Sequence, residues 1–310
     1  MKKDKFVNLH CHTEYSIQDS VITIPKLYNQ VKTYGQKAIA VTDHGSCAAW
    51  VEFSDYFNKK GNIKPIFGNE CYCTSEKIFD GDKRRQDHLV LLAMDNEGLT
   101  NIRRIQRLAV ENTYYKPLCY YDKILEQVPL NGIFATSACS LSSISKAILD
   151  NNMDEAQKYA EYFYALFDGN FALELQIHPD YQDQYKINQG IVELSDKLDY
   201  PIVVTCDAHF CNETDMGLRK IIKAIGWHKM IDDQSLFDSL KSNCVGNSDL
   251  IKQWAIESHF EYPDLLNIAI NNTSIIADMC KAQLEEPQRR IPVFDKHKEF
   301  VELFNSVGDW

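Results

Sequence analysis

The sequence predicts an α/β protein whose parallel strands close, or nearly close, into a barrel, and three observations carry that prediction. Seven strand-type apolar runs alternate with helix-type segments, runs such as K-A-I-A-V-T-D-H lack the polar alternation of a half-exposed strand, and five runs finish in a histidine, aspartate, glutamate or cysteine. An unbroken apolar run is what a strand covered on both faces requires. In β/α barrels chemistry collects at the carboxyl ends of the strands, so side chains from distant segments meet there. Ligand-type residues placed at random would be scattered through helices and loops as well.

The bulk properties narrow the function classes. At 310 residues the chain has room for one barrel-sized domain, alone or with an appendage. No apolar run approaches the length of a spanning helix, and the start, M-K-K-D-K-F-V-N-L-H, lacks the apolar region of a secretory signal. No membrane association and a cytoplasmic location are therefore expected. The 10 cysteines are spread through a chain too large to need staples and read as reduced thiols. A formal charge of −11 and a pI near 5.3 have the wrong sign for bulk attraction to a phosphate backbone. A nucleic-acid substrate would need metals or a local basic patch.

Taken in order, Phe6 to His12 is a strand-type run ending in His10 and His12, and Asp19 follows. Residues i and i+2 of a strand share a face, so both imidazoles would emerge side by side. Imidazole nitrogens and carboxylate oxygens are ligands for Zn²⁺, Mn²⁺ and Fe²⁺. Thr23 to Gly35 reads as a helix, with Pro25 in its first turn and Gly35 as its stop. The second strand, Lys37 to His44, ends in Asp43 and His44; a helix spans Ala48 to Lys60; the third strand, Ile63 to Cys73, carries Glu70. Thr74 to Asp87 is a polar, charged insert of loop or hairpin type.

His88 opens the fourth strand, His88 to Met94, and reaches the site from the loop side or across a neighbour. The helix Glu97 to Glu111 carries Arg103, Arg104 and Arg107, which read as a solvated face with a phosphate-contacting patch as the sharper alternative; Tyr114, Tyr115, Tyr120 and Tyr121 follow. The fifth strand, Asn131 to Cys139, ends in Cys139, and helices cover Ser142 to Asn151 and Asp154 to Phe167. Phe171 to Ile177 is the sixth strand, after which His178 reads as an exposed loop histidine, substrate contact being the alternative. A helix covers Asn188 to Leu198, and the seventh strand, Tyr200 to His209, ends in Asp207 and His209. From Asn212 onward the pattern is helical, with candidates at Glu213 to Ile225, Asn247 to His259 and Pro263 to Ala282, a soft boundary near Gly226 and an extended tail from Gln283. This helical part is expected to pack on the barrel. His228, His259 and His297 receive no role.

The motifs H-C-H-T-E-Y-S, A-V-T-D-H-G, K-P-I-F-G-N-E-C-Y, D-H-L-V-L-L-A, T-S-A-C and C-D-A-H, in that order, resemble the PHP (polymerase and histidinol phosphatase) family. The likeness is closest to its branch at the start of bacterial DNA polymerase III alpha subunits, where Y-Y-K-P, L-E-L-Q and I-I-A-D-M-C also find counterparts. The resemblance implies a distorted seven-stranded (β/α) barrel over residues 1–225, and a helical extension and tail over 226–310 like the connection toward a polymerase palm. It implies three divalent metal ions, Zn, Mn or Fe, on His10, His12, Asp19, His44, Glu70, His88, Cys139, Asp207 and His209. Asp43 would orient a ligand histidine. Cys139 stands where phosphatase relatives tend to carry histidine.

Such ligands support phosphoester hydrolysis, with His10, His12, Asp207 and His209 as the residues on which it would depend. In the polymerase branch the expected activity is 3′-5′ exonuclease proofreading on the 3′ end of DNA, beside a polymerase or replisome partner. A small-molecule phosphatase of the histidinol phosphate type and a metal-stabilised scaffold that binds a polymerase are the alternatives. The palm, with its catalytic aspartates, would follow Trp310. The chain is therefore expected not to polymerise DNA alone, and to be a stand-alone protein, one piece of a split polymerase or a portion of a longer chain.

Overall fold

Among the described residues, seven strands, β1 (Ala38–Val41), β2 (Lys64–Thr74), β3 (Asp87–Ala93), β4 (Leu118–Tyr120), β5 (Ile133–Thr136), β6 (Phe171–Gln176) and β7 (Ile202–Thr205), form one curled sheet. Their order is β1-β2-β3-β5-β6-β7, with β4 paired to β2. The computed structural model describes residues 4–74, 86–113, 115–121, 123, 126–233 and 240–285. The expected loop or hairpin at Thr74 to Asp87, apart from its ends, lies outside the described residues, as does the tail beyond 285.

The two edges of the sheet are bridged by the residues around His10. On one side the Ala40 amide donates to the Asn8 carbonyl at 2.9 Å and the Thr42 amide to the Cys11 carbonyl at 2.8 Å. On the other, the His12 amide donates to Ala208 O at 2.8 Å and the Ala208 amide to His10 O at 3.2 Å. This closure corrects one expectation, because Phe6 to His12 is not a regular strand and holds only an isolated bridge between Cys11 and Ala208. A strand would throw Leu9 and His10 to opposite faces. The bend at these two residues lets Leu9 enter the barrel while both histidines reach its mouth.

A second correction concerns direction. β3 runs antiparallel to both β2 and β5, whereas β1 with β2, β5 with β6 and β6 with β7 are parallel. The sequence shows no helical pattern between β2 and β3, so there is no crossover to return the chain for a parallel pairing. The short β4 was not anticipated.

The helices are α1 (Ile24–Tyr34), α2 (Trp50–Lys60), α3 (Asn96–Glu111), α4 (Ser143–Leu149), α5 (Met153–Leu166), α6 (Gln182–Leu198), α7 (Met216–Gly226), α8 (Ser248–Glu257) and α9 (Pro263–Met279). Their ends follow local chemistry. Thr23 caps α1 by accepting the Lys26 amide, and Gly35, at φ 71°, stops it in the left-handed region that a Cβ disfavours.

Burial of both strand faces follows from two packed layers. Ile39 and Val41, Leu89 and Leu91, and Ile202 and Val204 pack outward against the helices, while Ala38 and Ala40, Val90 and Leu92, and Val203 fill the barrel with Leu9, Ile66, Phe134 and Ala172. The last turns of α9 complete this inner layer with Ile276, Ala277 and Cys280. Hydrogen bonds anchor the helix there: Val7 donates its amide to Thr273 Oγ1 at 3.0 Å and Asn272 Nδ2 reaches Ile202 O at 2.8 Å. No described helix is long and apolar enough to cross a membrane.

Candidate metal centre

Each inward row of the barrel begins apolar and changes chemistry toward one mouth. Along β2 it runs Ile66, Gly68, Glu70; along β6, Ala172, Glu174, Gln176; along β7, Val203 and Thr205, with Asp207 just beyond. On the antiparallel β3 the row is read backwards, Leu92, Val90, His88, so its opening residue stands at the same mouth, with Tyr72 paired to His88 and Glu70 to Val90. Gly68 permits this convergence, since a Cβ there would lie 2.7 Å from Leu91 O and 2.8 Å from Thr42 Cγ2.

Glu70 is the hub. Its Oε1 lies 3.1 Å from His10 Nε2 and 2.9 Å from His88 Nδ1, and its Oε2 lies 2.6 Å from His44 Nδ1 and 3.4 Å from His12 Nε2. Asp207 Oδ1 lies 3.1 Å from His12 Nε2, 3.4 Å from His10 Nε2 and 3.6 Å from His209 Nδ1. Asp19 Oδ2 faces His44 Nε2 at 3.1 Å and His209 Nε2 at 3.3 Å. Cys139 Sγ is 3.4 Å from His88 Nδ1 and 3.7 Å from Glu70 Oε1. Every residue expected as a ligand is thus in one connected cluster. His10 and His12 are sealed from solvent, while the side chains of Asp19, Asp207 and His44 are 28%, 15% and 14% exposed, so the cluster is approached from their side.

Hydrogen bonds behind the rings fix their tautomers. His10 donates through Nδ1 to Glu174 Oε1 at 2.8 Å, His12 through Nδ1 to Ser16 Oγ at 3.2 Å, and His209 through Nδ1 to the Asp207 carbonyl at 2.8 Å. In all three the lone pair is left on Nε2, which faces the cluster. Among the described residues Asp43 makes no hydrogen bond or ion pair to an imidazole; it accepts the Thr13 amide at 2.6 Å and the Ser16 hydroxyl at 2.7 Å, and so steadies His12 through Ser16.

Charge is finely opposed at this mouth. Burial disfavours ionised carboxylates, yet the rings of His88, His10 and His44 hold Glu70 well below the usual range, and those of His10 and His209 do the same for Asp207. Burial also opposes a charged His10, but Glu174, Glu70 and Asp207 carry it well above its ordinary value; His12 is pushed well below by burial and by His44 and His209. Buried carboxylates here demand positive charge at their centre, from protons or from metal ions.

The donor set fits divalent metal ions. Six buried atoms, His10 Nε2, His12 Nε2, His44 Nδ1, Glu70 Oε2, Asp207 Oδ1 and His209 Nε2, have no hydrogen bond of acceptable geometry, although each stands within 3.3 Å of a neighbouring donor atom of the cluster. An unsatisfied buried polar atom costs about 1 to 3 kcal/mol. Ions removing that deficit would be held by three overlapping groups, His12, His44 and His209; His10, His12 and Glu70; and His44, Glu70 and His88.

Some participants were not singled out from the sequence. Glu174 is 2% exposed and is gripped by Thr136 Oγ1, by Thr205 Oγ1 at 2.5 Å and by Gln176 Nε2 at 3.0 Å. Its signals were a glutamate inside the apolar run F-A-L-E-L-Q and the likeness of L-E-L-Q to the polymerase branch, neither of which assigns it a role at the site. Arg219 reaches Asp19 Oδ1 at 3.0 Å and its carbonyl at 2.9 Å. His178 is buried, not exposed, between Ser242 Oγ at 2.7 Å and Gln176 Oε1 at 3.1 Å. Arg103, Arg104 and Arg107 bond within their own helix, to Thr100, Asn101 and Glu111. All ten cysteines are free.

Inner rows that turn to imidazole and carboxylate at one mouth define a protein of the β/α barrel class with a candidate metal centre. The chain belongs to the PHP domain family, whose model matches residues 8–178. A DNA polymerase III subunit alpha from Treponema pallidum is 30% identical over 306 residues, covering 97% of this chain and 25% of that protein. The subunit from Aquifex aeolicus is 32% identical over 245 residues, covering 76% and 21%. The chain spans about a quarter of the length of the curated relatives it matches. Among solved structures, histidinol phosphate phosphatase from Lactococcus lactis, complexed with zinc, L-histidinol and phosphate, matches distantly: TM-score 0.38 and 13% identity over 78% of this chain and 99% of that one.

Proposed function

We propose that this chain is a metal-dependent phosphoester hydrolase that removes nucleotides from the 3′ end of DNA in the setting of a polymerase. The observation that carries the reading is the set of six buried imidazole and carboxylate atoms that converge at one barrel mouth with no hydrogen bond of acceptable geometry. A scaffold valued only for its surface would gain nothing from holding them at such cost. The polymerase setting draws on the alignment with alpha subunits along most of the chain. Two or three ions, of Zn, Mn or Fe, would be held by His10, His12, Asp19, His44, Glu70, His88, Cys139, Asp207 and His209. When bound, such ions supply Lewis acidity toward the phosphoryl group and the departing alkoxide.

The chain's own residues do the rest. Glu174 and Ser16 lock the His10 and His12 rings, and Arg219 tethers Asp19. The apolar floor beneath the cluster excludes water from below, so a phosphate approaches where Asp19, His44 and Asp207 are open. Residues 1–225 are the hydrolytic part in this reading and 226–310 the extension toward a polymerase partner. Because α9 fills the barrel floor, that boundary divides the chain by type of element rather than by core.

Protein loaded with Mn²⁺ or Zn²⁺ is expected to shorten 5′-labelled single-stranded or 3′-mismatched DNA from its 3′ end, and His10→Ala and Asp207→Ala to lose this while keeping their circular dichroism. Turnover of histidinol phosphate with DNA left intact would replace this reading with that of a small-molecule phosphatase. Neither reaction, with metals bound, would leave a scaffold.

A further inference from the structure

Two consecutive residues between α7 and α8, Ser242 and Asn243, touch the metal centre from opposite sides. They are 0% and 5% exposed, and their segment runs beside the residues that follow β7, where Phe210 and Cys244 form an isolated parallel bridge. The Asn243 carbonyl accepts the His209 amide at 2.8 Å. Asn243 Nδ2 donates to the Asp207 carbonyl at 3.2 Å and the Cys206 carbonyl at 3.5 Å, and its Oδ1 accepts from Arg219 Nη1 at 3.4 Å. One orientation of the amide serves all of these, because the reverse would set its oxygen against two carbonyls and its NH₂ against a guanidinium.

These bonds fall where the backbone needs support. Asp207 stands at φ 46°, in the left-handed region that a side chain disfavours. Such a conformation persists only where the surroundings hold it. The Asp207 carbonyl is held twice, by Asn243 Nδ2 and by His209 Nδ1 at 2.8 Å, so one oxygen joins the aim of the Asp207 carboxylate to the tautomer of His209. Through Arg219 the same amide reaches Asp19. Arg219 donates to Asp19 Oδ1 at 3.0 Å and to its carbonyl at 2.9 Å, and Lys223, buried one turn further along α7, lies 3.8 Å from Oδ1.

Ser242 acts on the other side. Gln176 donates through Nε2 to Glu174 Oε1 at 3.0 Å, so its own Oε1 accepts from His178 Nε2 at 3.1 Å; His178 Nδ1 is left to accept the Ser242 hydroxyl at 2.7 Å. Every donor in this chain points the same way, and the last bond ends on the carboxylate that orients His10.

Resting on the metal centre of the reading above, we infer that Ser242 and Asn243 are positioning residues for it. Asn243 sets Asp207, His209 and, through Arg219, Asp19; Ser242 sets His10 through the chain that ends on Glu174. The part of the sequence after Gly226 is then built into the centre as well as packed on the barrel.

The test uses the full chain with Mn²⁺ alone, its affinity measured by competition with a chelator of known affinity. Asn243→Ala is expected to weaken binding about 10-fold to 100-fold, as loss of such outer partners does, and Ser242→Ala to weaken it less. With Co²⁺ as the probe, the visible bands of Asn243→Ala at saturation should differ from those of the wild type, a change that lower fold stability alone does not produce. Asn247→Ala is the structural control: it removes the cap that accepts the Leu250 amide at 2.8 Å, and should lower the melting temperature while leaving affinity and spectrum unchanged. Wild-type affinity in both Asn243→Ala and Ser242→Ala, losses no larger than that of Asn247→Ala, or no Mn²⁺ uptake by the wild type would overturn the assignment. Should Asn243→Ala lose its circular dichroism, unchanged affinity in Ser242→Ala overturns it alone. Weakened metal binding in the variants, with no turnover of DNA or histidinol phosphate by the wild type, would fail the hydrolytic reading alone; turnover of DNA with affinity indifferent to both substitutions would fail the positioning roles alone.

Discussion

Glu174 Oε1 lies 2.8 Å from His10 Nδ1, and the pair, 164 residues apart in sequence, is wholly removed from solvent. A carboxylate behind an imidazole fixes its tautomer and raises the basicity of the opposite nitrogen. Glu174→Gln is therefore expected to lower metal affinity by about 10-fold to 100-fold, as such outer partners commonly do. Competition with a chelator of known affinity measures it; unchanged affinity would remove Glu174 from the centre.

Metal content is the more direct measurement. The overlapping groups around His12, His44 and Glu70 exceed what one ion can use, so two or three ions per chain are expected by elemental analysis after growth with Mn²⁺ and Zn²⁺. Fewer than one, with no uptake on titration, would exclude a multinuclear centre.

The barrel floor gives a stability prediction. Ile276 is 4% exposed among Leu9, Ile66 and the other inward residues, so Ile276→Ala should cost about 2 to 5 kcal/mol in denaturant unfolding. Removing everything after Gly226 would strip α9 from the inner layer and is expected to give insoluble protein. A soluble, cooperatively unfolding truncation would show that the floor is dispensable.

Burial pushes His178 down to about 4. Its folded pKa is below the unfolded value near 6.5, so the stabilisation is present above that value and is lost as pH falls toward about 4. The full difference amounts to about 3 kcal/mol. Unfolding free energies of wild type and His178→Asn between pH 7 and about 4 should diverge in slope, the variant being flatter. Parallel slopes would mean that His178 takes up its proton in the folded protein as readily as in the unfolded chain.

How much of this was legible follows from what a side chain announces. His10, His12, His44, Asp207 and His209 stand where apolar runs end, and residue type and position together disclose them. Strand direction leaves no such mark: the apolar run of β3 reads the same whichever way it pairs, and only the missing helix before it hinted at a return. Glu174 was hidden because an inward row and an outward row look alike until the barrel is closed. Arg219 and Lys223 were concealed for the opposite reason, since α7 inverts the rule that charged residues face water. His178 follows a strand directly, and its burial depends on Ser242, far along the chain.

The bridge between the sheet edges has a further consequence for the order in which the molecule is made. His10 and His12 sit in the segment that joins β1 to the residues after β7, and their partners Asp207 and His209 are almost 200 positions later. During synthesis the histidines leave the ribosome first, and Asp207 and His209 join them only when the barrel's last strand emerges. The groups His10, His12, Glu70 and His44, Glu70, His88 could assemble earlier, whereas the group His12, His44, His209 is completed only with ring closure. The last ion taken up by a refolding chain should therefore report the joining of its two ends.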